Sequence, residues 1–421
     1  MEPIKDEILK GLKNLERFLQ GLPTPVGEGL RVRVTELREL LVEQRPPRLV
    51  LVGRRGAGKS TLINAIFDEP LAGVGHVGRG TLTPRWYSYV SDRGRMEVLD
   101  TRGIGEALNA GEPDGRDAAL RAIVSECTEN TPDAILFLVK AKEIESRTDE
   151  DVEDLATISG ALTKHQGGKL PVIGVVNQCD ELSPPTVRLH AAQGGERQEA
   201  KLEAVRVVEH KLFERIRRHP ALSSQLVSVI GVVSYAEWGP SRELIEDLRW
   251  RIDDLVRYVF ERLPAQAQVE MARLSRVKKL QRELGMRIVH ATAATAAAVA
   301  AVPLPVADIA PITTAQVGMV TAIGYIGGRD LSPKAAAEFL VALGVNVGAG
   351  YVFREVARGL IKWAFPTGGS FVSAAVAYAA TLALGTAAIA YFVEGKTVEE
   401  ARDEYGRTKS RGEREYEGGS S

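Results

Sequence analysis

The chain has 421 residues, of which 54 are basic and 55 are acidic, so its formal net charge at pH 7 is −1. A chain of this length predicts two or three domains. A net charge near zero provides no field that would attract nucleic acid, so no nucleic-acid partner is expected. The two cysteines, Cys127 and Cys179, lack metal-ligand spacing and are typical of a reducing compartment. Residues 1–7 lack the apolar core of a signal peptide, which favours a cytoplasmic protein.

Residues 1–45 are predicted to form two helices. Apolar residues recur at helical spacing over residues 4–19, and prolines follow that stripe. A second helix is predicted over about residues 29–43, closed by the pair Pro46–Pro47. Two short helices with one apolar face each are not stable alone. We therefore expect them to pack on the carboxyl-terminal region.

The sequence G-x-x-x-x-G-K-S runs between an apolar, strand-like segment at residues 49–52 and a helix-like segment at residues 61–67. A phosphate-binding loop needs this order of strand, loop and helix, because its glycines turn backbone N–H groups toward phosphate oxygens. Lys59 is predicted to reach the β- and γ-phosphates, and the Ser60 hydroxyl to hold Mg²⁺. The predicted phosphate-binding residues are Gly53, Arg54, Arg55, Gly56, Ala57, Gly58, Lys59, Ser60 and Thr61.

A second phosphate-contacting segment is predicted after the strand-like run at residues 95–99. That run ends in Asp-Thr-Arg-Gly, which reads D-x-x-G. Asp100, at the end of a strand, can hold the Mg²⁺ shell, and the N–H of Gly103 can meet a γ-phosphate.

A base-binding segment is predicted after the buried-looking strand at residues 171–176, which ends in Asn-Gln-Cys-Asp. Asp180 can accept hydrogen bonds from N1–H and from the 2-amino group of guanine. Adenine lacks that amino group and would leave the aspartate unpaired. Another strand, at residues 227–233, leads into a loop that backs the base. The predicted base-binding residues are Asn177, Gln178, Asp180, Ser234 and Tyr235.

The order of these motifs, each at the end of a strand, makes residues 46–262 resemble the translation-factor class of GTPases, in its Era-like and septin-like branch. The resemblance implies an α/β P-loop GTPase fold with a mostly parallel sheet and helices on both faces. It also implies GTP, GDP and Mg²⁺ as ligands and the hydrolysis of GTP to GDP and phosphate. The segment 73–85 occupies the place of switch I. Thr83 is the predicted Mg²⁺ ligand and catalytic group there; Thr81, or neither threonine, remains an alternative.

Two residues depart from this GTPase pattern. Gln178 stands where the N-K-x-D motif has a lysine that packs over the base. Ile104 follows the D-x-x-G motif where many GTPases have a glutamine that orients the attacking water. Hydrolysis then needs another group, a partner or self-association, and a slow intrinsic rate is expected. Arg54 and Arg55 are candidates for an arginine supplied within the chain, with Arg55 the predicted catalytic residue; the alternative is that both are solvated.

Composition changes after the GTPase-like region. Residues 242–263 are predicted to be its last helix, with Pro264 at the boundary. The carboxyl-terminal tail is charged, ends in Gly-Gly-Ser-Ser and is expected to fray. The predicted divisions are amino-terminal helices at 1–45, a GTPase domain at 46–262, an alanine- and glycine-rich helical domain at 263–400 and a tail at 401–421.

Charge-free runs cover residues 288–307, 309–328 and 371–393. Segments of about 20 apolar residues have the length of a membrane span, and the last run is the best match. Alanine-rich helices of modest hydropathy also pack tightly in a soluble core. A buried helical bundle and a membrane-contacting region both stay open.

Residues 300–350 contain a Pro-x-Pro-x-x-Asp-x-x-Pro turn near Gln316. This looks like bacterial Era-like GTPases that carry a GTPase-associated hydrophobic domain. The layout also resembles the immunity-related, dynamin-like GTPases of vertebrates. Those resemblances imply one all-α domain built from both ends of the chain, a homodimer through the GTPase domain, and a membrane or protein partner for the helical domain. They allow peripheral binding at the inner face of a membrane.

The sequence therefore predicts a GTP-hydrolysing switch. A nucleotide-gated binding module with little hydrolysis of its own is the first alternative. An RNA- or ribosome-linked Era-like GTPase is a second one, against which the near-zero net charge counts.

Overall fold

The computed structural model describes residues 9, 13, 16, 31–32, 34–35, 37–40, 42–72, 84–101, 113–146, 148–191, 194–300, 310–329, 336, 339, 343 and 374–418. The chain divides into two compact units. One unit is Pro46–Ser275, and the other combines Met1–Arg45 with Arg276–Ser421.

The unit Pro46–Ser275 is built on a six-stranded sheet with the order β2-β3-β1-β4-β5-β6. All neighbouring strands run parallel except β2, which is antiparallel to β3. The central strands β4 and β5 are almost entirely apolar and buried, as expected when helices cover both faces of a parallel sheet. The strands are β1 (Arg48–Val52), β2 (Arg85–Ser91), β3 (Gly94–Asp100), β4 (Ala134–Lys140), β5 (Val172–Asn177) and β6 (Leu226–Gly231).

Helices of this unit pack in two groups. Helix α3 packs on α2 and α4, whereas α5 and α6 pack on α1. A buried apolar stripe at helical spacing runs along α4 and consists of Val205, Val208, Leu212 and Ile216. The α/β fold class is thereby confirmed. The helices are α1 (Lys59–Phe67), α2 (Pro113–Glu129), α3 (Thr148–Gln166), α4 (Glu196–Arg218), α5 (Ile252–Phe260) and α6 (Ala265–Ser275).

The prediction of one helix over residues 242–263 is wrong in its first half. Strands β7 (Ala236–Trp238) and β8 (Leu244–Asp247) form a two-stranded antiparallel hairpin, and helix begins only at Ile252. The apolar spacing in β8 does not mark a core-facing stripe, because Leu244 and Ile245 are exposed. The Gly-Pro-Ser sequence at 239–241 provides the hairpin turn.

Helix α6 holds the tip of the β2–β3 hairpin. A Glu270 carboxylate oxygen accepts a hydrogen bond from the Arg95 N–H at 3.2 Å. The buried Arg273 guanidinium donates to the carbonyl of Arg93. A Cβ added to Gly94 would lie 2.7 Å from a Glu270 carboxylate oxygen, so a larger residue would displace that carboxylate. Helix α6 thus belongs to the same compact unit as the sheet.

The second unit is helical in all its described elements. Helix α9 packs on α7, α8 and α10. The amino-terminal residues described between 31 and 40 are also helical, and Val34, Leu37 and Leu40 are fully buried. The helices with continuous bounds are α7 (Lys278–Ala300), α8 (Ala310–Ile326), α9 (Ala374–Phe392) and α10 (Val398–Gly418).

Residues 401–418 of the tail that was expected to fray belong to helix α10, and residues 419–421 lie outside the described residues. Thr397 and Glu400 form a reciprocal cap: the Glu400 carboxylate accepts from the Thr397 N–H at 2.8 Å, and the Thr397 hydroxyl accepts from the Glu400 N–H at 3.2 Å. Ala401 in its first turn is fully buried. A capped start and an anchored first turn stabilise a helix that charge composition alone would not indicate.

Among the described residues, α9 is long and apolar enough to cross a membrane. Its mean hydropathy reaches 1.6 over 18 residues, and 61% of that window is buried. A core helix of a soluble protein passes the same length and composition test.

Candidate nucleotide-binding site

The loop between β1 and α1 has the backbone of a phosphate cradle. Gly56 and Gly58 have φ angles of 79° and 90°, in the region that favours glycine. A Cβ added to Gly58 would lie 2.2 Å from the Asn177 amide nitrogen, so a larger residue cannot occupy this position without displacing that amide. Lys59 is buried, and its ammonium donates to the carbonyls of Gly53 at 2.5 Å and Arg54 at 3.2 Å. The loop therefore curls around the lysine predicted to contact phosphates.

The two arginines of this loop have different surroundings. Arg54 pairs with Asp151 at 2.6 Å and with Glu150 at 3.2 Å, both on α3. Burial raises the pKa of the Asp151 carboxyl, and the hydrogen bond from Arg54 counteracts this. Arg55 is exposed and forms no ion pair with any residue in the described ranges. Arg54 thus ties the loop to α3, whereas Arg55 projects from it.

Of the predicted metal ligands, Ser60 lies in the first turn of α1 and Asp100 ends β3. Asp100 is buried at the end of β3 and is in register with Leu51 of β1, the strand that leads into the phosphate loop. Next to it, the Thr101 hydroxyl donates to the Leu51 carbonyl at 2.8 Å. Hydroxyl and carboxylate oxygens suit Mg²⁺, which takes few protein ligands beside phosphate. Within the described ranges, no group of three or more histidine, cysteine, aspartate or glutamate side chains could hold a metal by itself.

Several residues of the predicted phosphate side lie outside the described residues. They are Thr81, Thr83, Arg102, Gly103 and Ile104.

Asn177 joins the phosphate loop to both base-binding loops. This fully buried side chain donates to the Ala57 carbonyl at 3.0 Å and accepts from the Ser234 hydroxyl at 3.0 Å. Its neighbour Gln178 has a left-handed backbone (φ 62°) and donates to the Gly56 carbonyl at 3.1 Å. Direct hydrogen bonds therefore connect the phosphate loop, the base-binding segment that begins at Asn177 and the loop at Ser234.

A buried lysine that the sequence interpretation missed donates hydrogen bonds to the backbone of the loop that carries Asp180. Lys201 on α4 is fully buried, and its ammonium donates to the carbonyls of Asp180 at 2.6 Å, Leu182 at 2.5 Å and Pro184 at 3.1 Å. Burial lowers the pKa of Lys201. The signal was present, since Lys201 lies four residues before Val205 on the buried stripe of α4.

Burial raises the pKa of the Asp180 carboxyl, and the adjacent Glu181 adds to this effect. Asp180 lines a cavity of about 340 Å³, a size that suits part of a nucleotide. The lining residues are Thr61, Asn177, Gln178, Asp180, Glu181, Ser234, Tyr235, Glu246 and Leu248.

Glu246 of β8 and Leu248, directly after β8, also line this cavity, and neither was predicted as a site residue. Arg249, directly after them, pairs with Asp247 at 2.7 Å and with Asp68 at the end of α1 at 2.6 Å. Its hydrogen bond with Asp247 raises the pKa of Arg249. The hairpin was missed because residues 242–263 were interpreted as helix.

Comparisons with known proteins agree with this geometry. Residues 48–178 match the family described as 50S ribosome-binding GTPase, and residues 263–408 match the domain of unknown function DUF697. The chain is similar to the uncharacterized protein YkfA of Escherichia coli K12, with 27% identity over 52% of this chain and 68% of YkfA. It is similar to GTPase Der of Pelotomaculum thermopropionicum, with 26% identity over 42% of this chain and 40% of Der.

Among solved structures, Toc33 from Arabidopsis thaliana, crystallised as a dimerization-deficient mutant, has a TM-score of 0.36 at 18% identity and covers 57% of this chain and 93% of its own. A similarity of this size carries no argument about function. The chain spans about two thirds of YkfA and less than half of Der. The sheet with its phosphate loop has the α/β P-loop fold, and the matches place similarity to a GTPase family at residues 48–178 and similarity to DUF697 at residues 263–408.

Proposed function

We propose that this protein is a switch that binds guanine nucleotide with Mg²⁺ and hydrolyses GTP. The observation that supports this best is the buried Asn177 bridge, which connects the phosphate loop to the loop before Ser234. Asp180 lines the adjoining cavity as an acceptor for the N1–H and 2-amino donors of guanine. Ser60 and Asp100 would hold Mg²⁺, which supplies charge neutralisation at the phosphates.

The intrinsic rate of hydrolysis is proposed to be slow and to rise on self-association through the GTPase domain. An isoleucine at position 104 cannot orient a water molecule, so a further group is required. Arg55 is favoured over Arg54 as the arginine that stabilises transition-state charge, since Arg54 is held by Asp151 and Arg55 is exposed.

The helical region is proposed to contact a membrane or a partner protein, with the protein in the cytoplasm or peripheral at the inner face of a membrane. The support is the apolar helix α9 and its alanine-rich neighbours. Flotation of the full chain with anionic liposomes, with and without a GTP analogue, tests the hypothesis of membrane contact. Absence of flotation in every nucleotide state would reject membrane contact and favour a protein partner.

Titration with fluorescently labelled GDP and ADP tests the nucleotide assignment. The wild-type chain should bind GDP far more tightly than ADP, and Lys59→Ala should lose affinity because the cation inside the loop is gone. Lys169→Ala, which removes an exposed lysine preceding β5, is the matched control. Comparable affinities for GDP and ADP would reject the guanine assignment.

A nucleotide-gated binding module with little hydrolysis is the second candidate, favoured by Ile104 and by the glutamine at position 178. Turnover measured over a roughly hundredfold range of protein concentration separates the two. A specific activity that rises with concentration supports the self-associating GTPase. Negligible turnover at every concentration, together with tight GTP binding, supports the module.

A further inference from the structure

Lys140 is a cation at the phosphate loop that has no place in the predicted motifs. It ends β4, in register with Asn177 at the end of β5. A Cβ added to Gly56 would lie 3.4 Å from both Cε and Nζ of Lys140, so the lysine side chain lies directly against this residue of the loop. Its ammonium also pairs with Glu143 at 2.8 Å.

Gln178 reaches the same glycine. Its amide donates to the Gly56 carbonyl at 3.1 Å. The direction of the Gln178 side chain is set by a left-handed backbone (φ 62°) between the buried residues Asn177 and Cys179. Two polar side chains from neighbouring strands therefore converge on one residue of the phosphate loop.

This convergence accounts for the glutamine at a position where the N-K-x-D pattern has lysine. A lysine at 178 would bring its ammonium to the Gly56 carbonyl, beside the ammonium of Lys140. Two like charges brought to the same loop residue repel each other, even where both side chains are partly exposed. Glu143 offsets only part of this repulsion, because it is an exposed partner and exposed pairs contribute little.

We propose that Lys140 supplies the positive charge that the second position of the N-K-x-D pattern carries elsewhere, and that Gln178 retains only the tether to Gly56. Lys140 is then a positioning residue for the phosphate loop, and its charge increases affinity for the anionic guanine nucleotide. The inference rests on the proposed function, because it concerns nucleotide affinity at that site.

A double-mutant cycle in the full chain tests the coupling, with labelled GDP as the probe. Lys140→Met should weaken GDP binding about fivefold, the size expected for losing one partly exposed cation. Gln178→Lys should weaken it about tenfold through repulsion from Lys140. The double variant should bind GDP within about twofold of wild type, since the lysine at 178 then replaces the missing charge.

Additive effects would overturn the proposal: the double variant would bind roughly fiftyfold more weakly than wild type, the product of the two single effects. Lys140→Arg, which keeps the charge, should remain within about twofold of wild type and replaces Lys140→Met as the test of charge if the latter fails to fold. An arginine variant as weak as Lys140→Met would also overturn it. Lys169→Met, before β5, is the matched control and should leave GDP affinity unchanged.

The two proposals fail in different ways. A wild-type chain without preference for GDP over ADP rejects the guanine site itself. A wild-type chain that prefers GDP, combined with an additive cycle, rejects only the role of Lys140. Thermal unfolding of each nucleotide-free variant shows whether a loss of affinity reflects a loss of fold.

Discussion

The two compact units are stabilised by different kinds of contact. We call Pro46–Ser275 the nucleotide unit, and Met1–Arg45 with Arg276–Ser421 the helical unit. In the first, buried polar side chains such as Asn177 and Lys201 each bond to specific backbone carbonyls. In the second, α9 is rich in alanine and packs through small side chains, with Gly385 facing Val289 of α7. A polar contact needs a particular residue at a particular position, whereas close packing needs only small volume. The first unit is therefore sensitive to chemistry and the second to size.

The largest expected effect is a loss of GDP affinity at Asp180, because in the nucleotide unit a change of charge matters more than a change of size. Asp180→Asn removes an acceptor of two charge-assisted hydrogen bonds, so GDP affinity should fall about a thousandfold, while affinity for xanthosine diphosphate should rise. Competition between the two nucleotides for the labelled site measures the change. Glu203→Gln, at an exposed acid on α4, is the control. An unchanged ratio of the two affinities would contradict the assignment.

The same residue predicts a pH dependence. In the proposed complex, only the ionised Asp180 carboxylate can accept both hydrogen bonds from guanine, and burial raises its pKa. GDP affinity should therefore be complete above that pKa and fall as the pH drops through it. The loss should begin at a higher pH than for an ordinary aspartate. Affinity constant down to the usual pKa range of aspartate would contradict this environment for Asp180.

Asn177→Ala tests whether the buried polar bridge stabilises the nucleotide unit. It removes both hydrogen bonds to Ala57 and Ser234, so the free energy of unfolding should fall by about 3 kcal/mol. Ser234→Ala removes one of these bonds and should lower it by about 1 kcal/mol. Denaturant unfolding of the nucleotide-free chain measures both. Equal losses for the two variants would indicate that the bridge does not act through its two bonds.

Gly385→Ala tests the size sensitivity of the helical unit. The new Cβ would lie 2.3 Å from Val289, so the helices must separate, at a cost of about 2 kcal/mol. Gly406→Ala on α10 is the matched control: nothing lies within 4 Å of that Cβ, and alanine should stabilise the helix by about 0.5–1 kcal/mol. Thermal unfolding of both variants gives the comparison. A stabilising Gly385→Ala would show that α7 and α9 do not approach closely.

The smallest effect is expected at Arg54, which separates a structural arginine from a catalytic one. Arg54→Ala should lower stability by about 1 kcal/mol, since it loses the pair with Asp151. Arg55→Ala should leave stability unchanged and lower GTP turnover. Thermal unfolding and phosphate release, measured on both variants, provide the test. The reverse pattern would make Arg54 the functional arginine.

Strand-end motifs were predictable because they are local: a loop between a buried strand and a helix requires its glycines wherever it occurs. The apolar stripe of helix α4, Glu196–Arg218, has a clear helical period, which is the kind of local pattern that a sequence reveals. The β7–β8 hairpin was not predicted, since the spacing of Leu244 and Leu248 matches a helix as well as a strand. Helix α10 was not predicted either, because the charged composition of the tail was given more weight than the helix cap formed by Thr397 and Glu400.

The sequence alone determined the α/β class and the order of the phosphate- and base-binding segments, since backbone geometry and hydrogen-bonding groups are specified within a few residues. Only the tertiary structure brought Lys140, Lys201 and Glu246 to that site. Each of these residues lies on a different element, and strand register and helix packing decide which loop its side chain contacts. The sequence carries no local signal of this placement for Lys140 or Glu246, because their neighbours at the site are distant along the chain, whereas Lys201 lies at the helical spacing of the buried stripe on α4.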